Sequence, residues 1–253
     1  ILDIRKNSDK ALYALIQEPY FGRVITKEED GSEVSFLIGK TCNIEAGVVD
    51  WRNGPIAGLY FNYKQDEEFY EVINERERSG HILLRRAYRI ENGQLVQIDS
   101  PEGVYRRTEA NWEKLDVEDE VAAHRSRATR SKEKSLPNIL SLITKEQFEL
   151  ITIDPERPVI IQGSAGSGKT TVALHRLAWL LHEENSMATA KNTRVLVMNK
   201  SLQIYVSATL PSMGIQDVQT STFNGWALNI IGKVVRGRPF FKFHNVPSFV
   251  EEI

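Results

Sequence analysis

The residues whose types and spacing best suit chemistry are Gly163-Ser164-Ala165-Gly166-Ser167-Gly168-Lys169-Thr170, followed directly by Thr171. They fit G-x-x-x-x-G-K-[ST], the pattern of a loop that holds a polyphosphate. Gly163, Gly166 and Gly168 open backbone dihedrals closed to other residues, so successive N–H groups can turn toward an anion. Lys169 is expected to reach the β- and γ-phosphates, the Thr170 hydroxyl to ligate Mg²⁺, and Thr171 to support the first helical turn. Such a loop sits between a strand and a helix. Val159-Ile160-Ile161 reads as a short buried strand and Thr171 to Leu181 as an apolar-rich helix, a setting that a chance glycine-rich turn would not have.

Upstream of the loop, Thr144-Lys145-Glu146-Gln147 opens a helix that runs through Leu150-Ile151. Gln147 has two readings: the third residue of a capping box with Thr144, or an amide whose donor and acceptor match the edge of adenine. Downstream, Arg194-Val195-Leu196-Val197-Met198 and Val218-Gln219-Thr220-Ser221-Thr222 read as strands, with helices from Leu202 to Leu210 and from Phe223 to Ile231. Strands alternating with helices imply a parallel sheet whose ligands gather at the carboxyl ends of its strands. That arrangement puts Gly163 to Thr171, Asn199-Lys200 and Thr220 to Phe223 on one rim.

The front of the chain is patterned differently, with a period of two from Tyr20 to about Ile98. Glu29-Asp30-Gly31-Ser32 and Glu91-Asn92-Gly93 mark two hairpins, the second on the Asn-Gly pair preferred by type I′ turns. Val48-Val49-Asp50-Trp51-Arg52 and Leu59-Tyr60-Phe61-Asn62-Tyr63 supply the strands between them, for about five or six strands of antiparallel barrel or curled sheet. Asp50, Trp51 and Arg52 read as a buried Trp with an ion pair closing a turn. The expected organisation is a lead-in helix over 1–19, a small antiparallel β domain over 20–107, a helical linker over 108–136, including Trp112-Glu113-Lys114-Leu115, and an α/β unit over 137–253. Arg236, Phe240, Phe241, Lys242 and Phe243 form a basic and aromatic tail, better suited to packing than to stacking on a nucleic acid.

Composition narrows the classes. Thirty-two Lys and Arg stand against 34 Asp and Glu, so no global basic field advertises nucleic acid, and any polymer-binding surface is local. The single cysteine, Cys42, excludes a disulfide framework within the chain and suits a reducing, cytoplasmic setting. No apolar run approaches the ~20 residues of a membrane helix, so no membrane partner is expected. No His, Cys and acid spacing suggests a metal site beyond Mg²⁺ with nucleotide.

The stretches around Gln147, from Gly163 to Thr171, from Val195 to Leu202 and from Thr220 to Phe223 resemble the Q motif and motifs I, Ia and Ib of UvrD/Rep-like superfamily 1 helicases. The resemblance implies a RecA-like P-loop NTPase parallel sheet, a partial lobe 1A, preceded by the β-barrel-like domain. It implies ATP and Mg²⁺ as cofactors, Gln147 reading adenine, and Asn199, Lys200, Thr222 and Phe223 contacting single-stranded DNA. Glu18 to Arg23, Val49 to Ala57 and Tyr88 to Gly93 resemble the HelD-like branch, some of whose members bind RNA polymerase and release it from nucleic acid using ATP. A start on Ile1 and an end on Glu251-Glu252-Ile253 lead to the expectation of a fragment whose acidic motif II and second lobe lie elsewhere. Hydrolysis by the fragment alone is then expected to be negligible. A small-molecule kinase with an unrelated β module is the remaining P-loop alternative.

Overall fold

Alternation of apolar and polar residues, interrupted by glycine turns, builds the first half of the molecule. The computed structural model describes residues 16–73, 75–115 and 140–235. Strands β1 (Gly22–Glu28) and β2 (Glu33–Gly39) form the first hairpin, with Gly22 opposite Ile38. Strands β5 (Arg76–Glu91) and β6 (Gln94–Ser100) form the second, and Asn92 and Gly93 both take positive φ, as a type I′ turn requires. With β3 (Val48–Asp50), β4 (Glu68–Ile73), β7 (Gly103–Arg107) and β8 (Trp112–Lys114) they complete an eight-stranded sheet in the order β3-β2-β1-β5-β6-β7-β8, with β4 also on β5. The long β5 carries β1 along one edge, and β4 and β6 along successive stretches of the other. At Gly80, where β1 and β5 cross closely, a Cβ would stand 2.1 Å from the Lys27 carbonyl, so only glycine fits.

Three expectations change here. Leu59 to Tyr63 is not a strand: helix α1 (Gly54–Phe61) takes most of it, with Pro55 in the first turn. Ala57 to Phe61 are all buried, so this helix has no polar stripe and its sequence looks like a core strand. Trp112 to Lys114 is not helical but pairs antiparallel with β7, placing Trp112 opposite Arg107. The sheet is also not wholly antiparallel, since β2 and β3 run parallel, and its path ends at β3 on one side and β8 on the other.

The second half holds helices α2 (Lys145–Thr152), α3 (Lys169–Leu180), α4 (Lys200–Thr209) and α5 (Phe223–Val234), with strands β9 (Arg194–Val197) and β10 (Gln219–Thr222). β9 and β10 pair in parallel, Thr222 opposite Val197. Val159-Ile160-Ile161 departs from the expected buried strand: it pairs with no strand among the described residues, and Ile160 is 95% exposed. A strand exists only through a neighbour's hydrogen bonds, and none runs beside this stretch among the described residues.

One hydrophobic core runs through both halves. Phe21, Val24, Ile38, Trp51, Tyr60 and Phe61 from the first half join Phe148, Ile151, Val172, Leu174 and Trp179 from the second. Most of the lead-in helix, of which Ile16 and Gln17 are described and helical, most of the linker and the tail after Val235 lie outside the described residues.

Candidate functional site

The loop from Gly163 to Thr170 begins on exposed backbone and ends on the first turn of α3. Gly166 and Gly168 have φ of 81° and 84°, left-handed values that cost other residues about 1–2 kcal/mol. At Gly163 a Cβ would stand 2.6 Å from the Ser167 hydroxyl, and at Gly168 it would meet the Gln147 amide nitrogen at 3.1 Å. Gly163 and Gly168 thus stand where a side chain would crowd the loop, while Gly166, with open space around it, is required by its backbone angle alone. The Lys169 ammonium closes the loop on itself, donating to the Gly163 carbonyl at 2.8 Å and the Ser164 carbonyl at 2.6 Å. Ser164, Ala165, Gly166 and Ser167 are exposed around it or nearly so, and Thr170 and Thr171 begin the helix behind it. N–H groups at a helix start, a cation and a hydroxyl make a donor set suited to phosphate and Mg²⁺.

Gln147 forms the capping box of its first reading. Its backbone N–H donates to the Thr144 hydroxyl at 3.3 Å and its side-chain oxygen accepts from the Thr144 N–H at 3.2 Å, completing the capping box. The oxygen is therefore engaged, and the amide's NH₂ group is the end that lies against the loop at Gly168.

Two residues of α3 that sequence reasoning passed over hold this arrangement together. Arg176 is buried, and its guanidinium donates to the carbonyls of Ile151 at 3.0 Å, Ile153 at 2.7 Å and Asp154 at 3.2 Å. Ile151 and Ile153 lie at the end of α2, where carbonyls lack helical partners, and Asp154 follows just beyond it. One guanidinium thus ties the helix carrying Gln147 to the helix carrying Lys169. Burial pulls the Arg176 pKa down, partly offset by the Asp154 charge. The signal in the sequence is a lone arginine inside an apolar helical run, which is buried only when paired.

The second is His175. Its Nδ1 lies 2.8 Å from the Thr171 carbonyl, which can only accept, so Nδ1 carries the proton. Burial lowers its pKa and keeps the ring neutral. Its ring also meets the Trp51 ring, edge to face at 5.6 Å, so the turn after β3 packs directly on the loop's helix. That turn is fixed by Asp50 and Arg52, whose fork is bidentate at 2.9 and 2.6 Å. Asn185 adds a bridge, donating to the Arg52 carbonyl at 3.0 Å and the Trp179 carbonyl at 2.9 Å.

The rim residues of the parallel pair come together as helix starts. Asn199 caps α4, accepting from the Leu202 N–H at 2.8 Å, and Thr222 caps α5, accepting from the Gly225 N–H at 3.1 Å. Lys200 donates to the Gln203 side chain at 3.1 Å, and Gln203 in turn donates to the Thr220 carbonyl at 2.7 Å. Phe223 is exposed beside Trp226, ring centroids 5.7 Å apart. No group of His, Cys, Asp and Glu that could hold a metal, and no helix long and apolar enough to cross a membrane, occurs among the described residues.

Compared with known proteins, residues 143–235 match the UvrD/REP helicase N-terminal domain. The match spans α2, the glycine loop, α3 and the β9–β10 pair, so the segment carrying the loop is similar to UvrD-like helicases, ATP-dependent enzymes that act on nucleic acid. No curated protein matches the sequence significantly.

Proposed function

We propose that this chain carries the nucleotide-binding front of an ATP-dependent superfamily 1 helicase or translocase. The observation that supports it best is the meeting of Gln147 and Gly168, since an adenine-reading amide beside a phosphate cradle is what an adenine nucleotide needs. The backbone from Gly163 to Gly168 holds the phosphates, Lys169 exchanges the loop carbonyls for phosphate oxygens, and Thr170 takes Mg²⁺. Gln147, with its oxygen held by the cap, donates through its NH₂ group to the base. Bound MgATP supplies the anhydride whose cleavage drives movement along a strand. Asn199, Lys200, Thr222 and Phe223 lie on the rim that the strand follows, with Phe223 offering an exposed ring.

The test is thermal unfolding with MgATP. A ligand at 100 times its Kd stabilises by about 2.7 kcal/mol. A shift with ATP that Lys169→Ala abolishes supports the reading, and no shift with any nucleotide overturns it. Neither β9 nor β10 ends on a carboxylate, since Met198-Asn199 and Phe223-Asn224 follow them. Phosphoryl transfer needs an acid to hold the metal and water, so turnover by this chain alone is expected to be negligible. A sheet packed ahead of the loop in one core favours a second reading, a HelD-like ATPase that releases RNA polymerase from nucleic acid. Capture of polymerase by the whole protein, without strand displacement, separates it from the first.

A further inference from the structure

The solvent-facing side of the eight-stranded sheet carries a pattern that the nucleotide site does not use. Residues directly opposite on neighbouring strands share a face, as do residues two apart on one strand. Tyr88 on β5 faces Ile98 on β6, which faces Tyr105 on β7, which faces Lys114 on β8. Two residues along, Arg86 lies beside Tyr88, and Arg107 lies beside Tyr105 with Trp112 opposite it. Arg23 on β1 faces Arg86 and extends the row. The opposite face carries Val24, Ile82, Ala87, Gln97 and Val104, all buried, which leaves the tyrosines, the tryptophan and the cations on the outside.

The charge on this face is one-sided. Arg23, Arg86, Arg107 and Lys114 enter no ion pair among the described residues. The carboxylate of Glu102 stands nearby, and its pKa is lowered first by the Ser100 hydroxyl and only lastly by Arg86 and Lys114. The Arg86 Nε is enclosed and finds no acceptor among the described residues, a costly state for a guanidinium. Trp112 is 41% exposed, and Tyr88 and Tyr105 are half-buried, Tyr88 braced edge to face by Tyr20 at 5.7 Å.

From this placement we propose that the outer face of β5 to β8 is a binding surface for single-stranded nucleic acid. Tyr88, Tyr105 and Trp112 offer rings to successive unpaired bases, while Arg86, Arg107 and Lys114 neutralise the phosphates between them. The aromatic rings select this occupant over an acidic protein segment, which needs cations but has no flat bases to stack. Neighbouring strands about 4.8 Å apart set Tyr88 and Tyr105 roughly two strand spacings from each other, room for stacked bases rather than a duplex. The surface belongs to the sheet and works without nucleotide, so it stands or falls independently of the ATP site and of the rim at Asn199 and Thr222.

The experiment is fluorescence anisotropy of a labelled oligothymidylate of about 10 nucleotides, a length within the site sizes of such platforms, on the full chain without ATP. Trp112→Ala is expected to weaken binding at least fivefold and Trp112→Phe to restore most of it. Exposed Arg107→Glu and Lys114→Glu should each weaken it about tenfold and reduce the slope of log affinity against log salt by about 0.7 for each phosphate no longer neutralised. Circular dichroism and melting temperature establish that each variant is folded. Unchanged affinity in folded Trp112→Ala and Lys114→Glu would overturn the proposal, whatever Lys200→Ala does at the other rim. Equal competition by polyglutamate of the same charge would also overturn it, since it would mean the face reads charge alone, as for an acidic protein.

Discussion

The ring of Phe61 lies flat on the ring of Phe148, centroids 4.3 Å apart and planes 15° from parallel. Phe61 ends helix α1, and Phe148 sits one residue after Gln147. The stack therefore joins the sheet unit to the helix that places Gln147 at the loop. Phe61→Ala is expected to cost about 3–5 kcal/mol of stability by urea unfolding. A double cycle with Phe148→Ala should return a coupling of about 1 kcal/mol. Additive losses would mean the two rings are merely neighbours in the core.

Gln147 and Thr144 separate capping from recognition. Both Gln147→Ala and Thr144→Ala break the capping box, and each should lower stability by about 1 kcal/mol. Only Gln147→Ala removes the amide beside Gly168, so only it should bring the ATP and GTP affinities toward equality. Nucleotide titration by calorimetry on both variants checks this, and equal base selectivity in the two would assign Gln147 to capping alone.

Arg176 should behave as a buried clamp. Arg176→Met leaves the carbonyls of Ile151 and Ile153 without their donor, while Asp154 keeps the Arg157 N–H, and is expected to cost about 3 kcal/mol, measured by denaturant unfolding. Arg176→Lys should recover little, because a single ammonium cannot reproduce a fork that spans several carbonyls. Loss of the clamp should also weaken ATP binding in whatever protein remains folded, because the two halves of the site lose their shared tie.

His175 predicts an acid limit. Its native pKa lies below the ordinary imidazole value, so the unfolded chain takes up a proton that the native state refuses. Stability is complete above the unfolded value, near pH 6.5, and falls as the pH drops from there toward the lowered native pKa, by at most about 1.4 kcal/mol per pH unit from this one group. Melting temperatures from pH 7.5 to pH 5 should show that decline, and His175→Gln should flatten it from a lower starting stability.

Local rules made part of this molecule readable in advance. The Asn92-Gly93 turn is legible because positive φ at two successive residues is a local demand that few residues meet. The helix start at Thr144 is legible for the same kind of reason, a side chain bonding to a backbone N–H three residues on, whereas Asn199 caps a helix that begins before the expected Leu202. Leu59 to Phe61 misleads because burial on every side erases the period that tells a helix from a strand. Val159 to Ile161 misleads because an apolar run can promise a strand but cannot supply its neighbour. Arg176 is hidden for a further reason: its partners are carbonyls more than twenty residues away, and backbone acceptors leave no trace in residue type.

The single core also has a consequence for inheritance. Any recombination between 61 and 148 parts Phe61 from Phe148, Trp51 from His175 and the Arg52 carbonyl from Asn185. Neither parental half then finds the surface it was shaped against, so sheet and loop are expected to descend as one unit. A lesion mapped to the turn at Asp50 would accordingly score, in a genetic screen, as a defect at the glycine loop.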